Sequence, residues 1–228
     1  MDQQKFQDFI LEHGIIGFFE SPMTLKSGRQ SQFYVNWRAA TNDAWMLDKL
    51  TDFICDFLST RDWQFDTLYG VPEGASKTAV ITAMKLARRA AGFAKGSHNI
   101  AMGRARPKEH GHPDDRYFIG APRGRTVVLE DTITTGGSLI ACLQQLLEAG
   151  VDVAGVVALT DRMEKRDDGY SVEEYLNLQF DGKIPYRVMS DALTLLPLAA
   201  QKYQPSRSIL DALEAEFAEF GVMPLRNL

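Results

Sequence analysis

The sequence predicts one α/β domain built on a central parallel sheet flanked by helices, and three observations carry that expectation. From about residue 65 onward, short apolar runs alternate with stretches of helical spacing, the pattern of strand–helix–strand crossovers. The 228 residues suit a single domain of this class with room for a small subdomain. The composition, 45% apolar and 24% charged with no low-complexity block, is that of an ordinary globular protein.

Taken in order, Phe6, Phe9, Ile10 and His13 recur at helical spacing, with Asp2 near the start and Gly14 as the stop. In "FFESPMTLKSGRQSQFYVNWR" turn residues separate two β-like runs, so a hairpin or two short strands is expected. Met46, Leu47, Leu50, Phe53, Ile54, Phe57 and Leu58 mark one face of a strong helix, with Thr41-Asn42 as its starting residues. "FDTLYGV" is a strand and "SKTAVITAMKLARRAAG" a helix closed by Gly92. "HNIAMGR" is read as a further strand, followed by a polar loop over 105–124. "RTVVLED" is a strand, "SLIACLQQLLEAG" a helix closed by Gly150, and "VDVAGVVALTD" another strand. A capping box, Ser171-Val-Glu-Glu174, marks a short helix. "PYRVMSDALTLLPLAA" reads as a strand and turn, and Ile209 to Phe220 as a terminal helix ended by Gly221. No repeat and no long linker divides the chain.

Several function classes are disfavoured at once. The net charge of −5 argues against a general nucleic-acid binder. No stretch reaches about 18 consecutive apolar residues, and "MDQQKFQDFILEHG" lacks the basic start and long apolar core of a signal peptide, so a cytoplasmic protein that engages no membrane is expected. Cys55 and Cys142 stand apart, with no CxxC, and read as small core residues with reduced thiols. His98, His110 and His112 form no zinc pattern. "GVPEGASKT" lacks the glycine before Lys77 that a nucleotide-binding P-loop requires.

The chemistry concentrates in "VVLEDTITTGGS", residues 127–138. The first amides of a helix have no partner within it, and the helix dipole adds partial positive charge there. The Thr134-Thr135-Gly136-Gly137-Ser138 loop offers such amides together with three hydroxyls, and its glycines let a phosphate approach. Glu130 and Asp131 would repel a bare phosphate, so the ligand must also bring donors or positive charge. A ribose 5-phosphate does both. Its hydroxyls can donate to the acids, and an oxocarbenium-like C1 would be stabilised by the same carboxylates.

That stretch resembles the binding signature for 5-phosphoribosyl 1-pyrophosphate (PRPP) of the type I phosphoribosyltransferases: an apolar run, two acids, then Thr-Thr-Gly. Three further segments resemble the orotate phosphoribosyltransferases in particular: "LKSGRQSQFYVNWR" their amino-terminal signature, "RARPKEHG" their mobile catalytic loop, and "TDRMEK" the strand end supplying an arginine to orotate. The resemblance runs from about Phe6 to Lys165.

It implies the type I phosphoribosyltransferase fold in one domain over 1–228, with a core of about 41–190 and a small hood drawn largely from 1–40 and the carboxyl-terminal region. Lys26 would reach both substrates, Phe33 and Tyr34 would border the base, and Thr134 and Arg162 would bind orotate. Glu130 and Asp131 would take the ribose hydroxyls, and Thr132, Ile133, Thr134, Thr135, Gly136, Gly137 and Ser138 would wrap the 5-phosphate. Arg104, Lys108 and His110 would meet pyrophosphate, with loop 104–118 reaching the neighbouring site of a homodimer. Lys26, Lys108 and Asp131 would carry catalysis. Mg²⁺ would ride on substrate oxygens, with no metal site made of protein ligands.

Two departures from the family pattern stand out. Ala105 follows Arg104 where an adjacent lysine is usual, which leaves Arg106 as a candidate replacement. In "GVPEGASKTA", Glu73 and Gly74 occupy the place of a lysine at the pyrophosphate turn, and Lys77 lies a few residues on. Two rival functions are a phosphoribosyltransferase for another base and a non-catalytic PRPP-sensing regulator.

Overall fold

A computed structural model describes residues 1–25, 27–60, 63–110, 116–225 and 228. The chain opens with α1 (Gln3–Glu12), whose first turn is capped by the Asp2 side chain accepting from the Lys5 amide. An antiparallel hairpin follows, β1 (Ile16–Thr24) and β2 (Gln30–Val35). Then come α2 (Trp37–Thr41), α3 (Ala44–Ser59), β3 (Thr67–Gly70) and α4 (Ser76–Arg89). The remaining elements are β4 (Arg125–Ile133), α5 (Gly137–Glu148), β5 (Asp152–Asp161), α6 (Val172–Gln179), β6 (Tyr186–Asp191), α7 (Ala192–Tyr203) and α8 (Arg207–Phe220).

The expected parallel sheet is present, with strand order β3-β4-β5-β6 and every neighbouring pair parallel. Its strands are short and apolar because both faces are covered. Along β4 and β5 successive side chains alternate between two cores. Val127, Leu129, Val157 and Leu159 join a cluster with residues of α1, α2, α3, α4, α7, α8 and the hairpin. Val128, Val156 and Ala158 join the opposite cluster with Leu139 and Leu143 of α5 and Leu176 of α6. The hairpin and both C-terminal helices therefore share one hydrophobic core with the sheet. The Tyr203 hydroxyl donates to the Leu11 carbonyl, tying α7 to α1.

Four local expectations change. Residues 98–104 form no strand of the sheet. Met102 and Arg104 instead pair with Ile119, Gly120 and Tyr117, making an antiparallel arm that carries the 105–124 loop. Gly103 passes so close to β3 that a Cβ there would lie 1.9 Å from the Tyr69 hydroxyl, a side-chain contact in place of a ladder. Residues 37–41, read together with the hairpin, form the short helix α2. The cap of α3 is Asp43, whose Oδ1 accepts from the Met46 amide at 2.9 Å, rather than Thr41-Asn42. After the expected strand in "PYRVMSDALTLLPLAA", the chain forms not a turn but the helix α7, residues 192–203, with Pro197 inside it. The helix is capped by Asp191 and buries Ala192, Leu195, Leu196 and Ala199, so packing outweighs one lost hydrogen bond.

Candidate active site

The sheet aims three strand ends at one place. Toward the C-terminal end of β4, Leu129 pairs with Gly70 of β3 and Ile133 with Asp161 of β5, so Asp131 sits where the three strands end, as parallel strands bring ligand-binding loops together. The turn from β4 into α5 needs Gly136, which adopts φ +72° as the N-cap, a conformation open to glycine without a Cβ penalty. Having no side chain, Gly136 cannot cap the helix, and no side-chain cap bond closes the start of α5. Beyond Gly137 a Cβ would meet nothing within 4 Å, which leaves open space on that side. Arg166 fastens the turn from outside. Its Nη1 donates to the Thr135 carbonyl at 2.7 Å while its guanidinium lies 3.8 Å from the Tyr175 ring centroid.

These residues line a cavity of about 880 Å³, a size that suits a small-molecule ligand. One wall is Glu130 to Leu139, which includes every residue expected to hold the ribose and its phosphate. Facing it are Ser27, Val35, Asn36, Trp37 and Arg38 from the hairpin and α2, Pro72, Glu73 and Gly74 from the turn after β3, and Ala105 and Arg106 from the arm. Glu130 is only 4% exposed, and its Oε1 accepts from the Asp131 amide at 3.2 Å. Asp131 accepts from the Thr132 amide at 2.8 Å. Gly74 presses against this carboxylate: a Cβ there would stand 2.2 Å from Asp131 Oδ2. The backbone joining Pro72 and Glu73 is cis.

The other expected residues fall elsewhere. Lys26 lies outside the described residues, although its neighbour Ser27 lines the cavity. Phe33 is fully buried, and Tyr34 packs on Phe19 with ring centroids 5.1 Å apart. Neither belongs to the cavity lining, which takes the next four residues, 35–38. Arg162 is 3% exposed and stacks on Phe33, its guanidinium carbon 3.7 Å from the ring centroid. Its donors go to Glu164 (2.7 Å), Ser31 (2.8 Å), the Phe33 carbonyl (3.3 Å) and Glu216 (3.3 Å). Arg104 is half-buried at the base of the arm; Lys108 and His110 are exposed farther along it. Arg106 alone of the arm's cations enters the cavity lining among the described residues.

A pairing of Arg162 with nearby Glu164 is readable from the sequence and is present, but the rest of the network behind it is not readable there. Glu164, 2% exposed, also accepts from Arg29 of the "LKSGR" signature at 3.2 Å. Arg29 reaches Asp167 at 2.7 Å and lies over Phe220. This buried cluster joins the hairpin, the end of β5 and α8 across more than a hundred residues of chain, a distance at which local spacing carries no signal.

Burial sets the electrostatics. Desolvation lifts Asp161 to about 6, against the lowering effect of the Tyr186 hydroxyl and the Met163 amide. Burial and nearby Glu130 push the Cys142 thiol to about 12. Glu216 is raised by burial despite the Arg162 charge. Both cysteines are buried and free. Among the described residues no three His, Cys, Asp or Glu side chains gather as a metal cage, and no helix is long and apolar enough to cross a membrane. The hard oxygen donors on the cavity are Glu73, Glu130 and Asp131. They suit an ion that keeps most of its waters and arrives with a substrate.

No protein-family model matches the chain. Among curated proteins it is 32% identical over 169 residues to an orotate phosphoribosyltransferase of Methanopyrus kandleri, covering 74% of this chain and 82% of that one. It is 29% identical over 226 residues to an orotate phosphoribosyltransferase of Vibrio vulnificus, covering 96% and 98%. Among solved structures, the orotate phosphoribosyltransferase of Francisella tularensis superposes with a TM-score of 0.69 at 21% identity, over 95% of this chain and 99% of that one.

Proposed function

The chain belongs to the orotate phosphoribosyltransferase family, and from that premise we propose that it transfers the 5-phosphoribosyl group of PRPP to N1 of orotate, giving orotidine 5'-monophosphate and pyrophosphate. The observation that carries this reading is the cavity in which Glu130 and Asp131 adjoin the start of α5, where no side chain caps the helix. Amides and hydroxyls of 134–138 take the 5-phosphate, with Thr132 and Ile133 completing the wall. The two acids accept from the ribose hydroxyls and stabilise positive charge as the bond at C1 breaks. Arg166 keeps the turn in register through the Thr135 carbonyl.

The carbon–oxygen bond to pyrophosphate breaks and a bond from orotate N1 forms at C1. Orotate carries its charge on the carboxylate and a proton on N1, and that proton passes to the departing pyrophosphate or to solvent as the N1–C1 bond forms. Thr134 stands beside the acceptor; Phe33 and Tyr34 border it through the backbone that leads to Val35. Arg162 shapes that side of the site and turns its remaining donor capacity toward orotate. Mg²⁺ fits the oxygen donors Asp131 and Glu73 and, when bound with PRPP, would neutralise part of the pyrophosphate charge. Lys26 serves both substrates. Arg104, Lys108 and His110 act from the arm, Lys108 and His110 on the leaving group of a second copy's site in a cytoplasmic homodimer. The hairpin with the C-terminal helices serves as the hood over a single domain.

The test is the loss of orotate absorbance with and without PRPP and Mg²⁺. A decrease that requires PRPP, with equimolar pyrophosphate and no reaction of adenine or hypoxanthine, supports the assignment. PRPP binding without turnover would indicate a sensor, and turnover of a purine base alone would move the enzyme to another acceptor.

A further inference from the structure

Among the described residues, carboxylates outnumber cations on the cavity wall. Among the described residues its charged lining comprises three carboxylates, Glu73, Glu130 and Asp131, and two guanidiniums, Arg38 and Arg106. Pyrophosphate carries several negative charges, and carboxylates alone would repel it. It leaves from C1, beside Asp131, and Gly74 of the 72–74 turn packs against that carboxylate. That turn bears an acid, Glu73, and its following lysine is occupied elsewhere. Lys77 Nζ donates to the Thr41 carbonyl at 2.9 Å and to Asn42 Oδ1 at 3.2 Å.

Those two acceptors are the last residue of α2 and its C-cap. Lys77 is the second residue of α4, immediately after the turn. The contact therefore fastens α2 to the leaving-group end of the site. The opposite end of α2 is anchored by Trp37, 1% exposed, whose Nε1 donates to Thr160 Oγ1 at 3.0 Å and whose ring stacks on Phe6 at 5.7 Å. Between these anchors Arg38 is exposed on the cavity wall. The two anchors fix the backbone that carries Arg38, and a guanidinium can pair two phosphate oxygens at once.

We infer that Arg38 contacts the pyrophosphate group of the substrate, as the fixed member of a cation pair whose other member, Arg106, is carried by the arm. This rests on the reading of the cavity as a PRPP site. Lys77 acts as a positioning residue for α2. The pair supplies from α2 and the arm the positive charge that the 72–77 segment and Ala105 do not present.

Calorimetric titration of wild type, Arg38→Gln and Arg38→Lys with pyrophosphate plus Mg²⁺, and separately with orotidine 5'-monophosphate, tests this. Arg38→Gln should weaken pyrophosphate by about tenfold or more, as expected for losing a charge-assisted contact. Arg38→Lys should retain part of that affinity. The nucleotide, which lacks the leaving group, should bind all three within about twofold, and melting temperatures should agree. Unchanged pyrophosphate affinity in Arg38→Gln, no pyrophosphate binding by the wild type, or equal weakening of both ligands would overturn the inference. A wild type that binds pyrophosphate through Arg38 yet makes no nucleotide from orotate would instead overturn the acceptor assignment alone.

Discussion

Replacing Gly74 with alanine isolates the role of Asp131 without touching it. The new Cβ would stand 2.2 Å from Asp131 Oδ2, 2.7 Å from Cγ and 2.9 Å from Oδ1, against ordinary contact at 3.4 Å or more. Gly74 is absent from the positive-φ positions, so alanine adds no backbone strain there. The carboxylate must recede by about 1 Å or rotate away, and a misplacement of that size costs on the order of 100-fold in rate. Initial rates of orotate consumption at saturating substrates read this directly. Because the clash falls on a side chain at the rim of the cavity, the melting temperature should stay within about 3 °C of wild type, equivalent to at most about 1 kcal/mol. Turnover within about threefold of wild type, with the variant folded, would refute the claim that Asp131 must stand where it does.

Three further outcomes follow from the same geometry. Asp161 binds its proton more tightly folded than unfolded, so its contribution to stability is complete below pH 4 and disappears as pH rises through about 6. Denaturant titrations from pH 4 to 7 should therefore show wild type losing about 3 kcal/mol more than Asp161→Asn, and parallel curves would contradict the burial argument. Glu164→Ala removes the buried carboxylate shared by Arg29 and Arg162, leaving each with one acidic partner, Asp167 and Glu216, and should lower the melting temperature by about 10 °C, from a cost of about 3 kcal/mol; an unchanged melt would mean the network is not closed in solution. Lys108→Ala should lower kcat at least tenfold, about 1.4 kcal/mol, while PRPP affinity moves by less than about threefold, and equal losses in both would remove its leaving-group role.

Much of this was legible because it is local. The β4–α5 turn reads from twelve consecutive residues, since the glycine-rich turn, its amides and the two acids lie within one strand end and one helical turn. Strand alternation and the Ser171 capping box were readable for the same reason. What sequence spacing could not show is the facing wall. Arg38 reaches the cavity because Trp37 finds Thr160, 123 residues away, and Lys77 finds Thr41, 36 residues away. Proline inside α7 obscured a helix whose stability comes from packing on the N-terminal hairpin and α1. The misread strand at 98–104 has a strand's composition, yet its backbone bonds go to the returning limb of the arm.

The most direct measurement is the structure of the protein bound to orotidine 5'-monophosphate. The account predicts the 5-phosphate on the amides and hydroxyls of Thr134 to Ser138, with the ribose hydroxyls on Glu130 and Asp131 and the base toward the hairpin. A nucleotide whose phosphate sits away from that turn, or whose sugar lies out of reach of both acids, would contradict it.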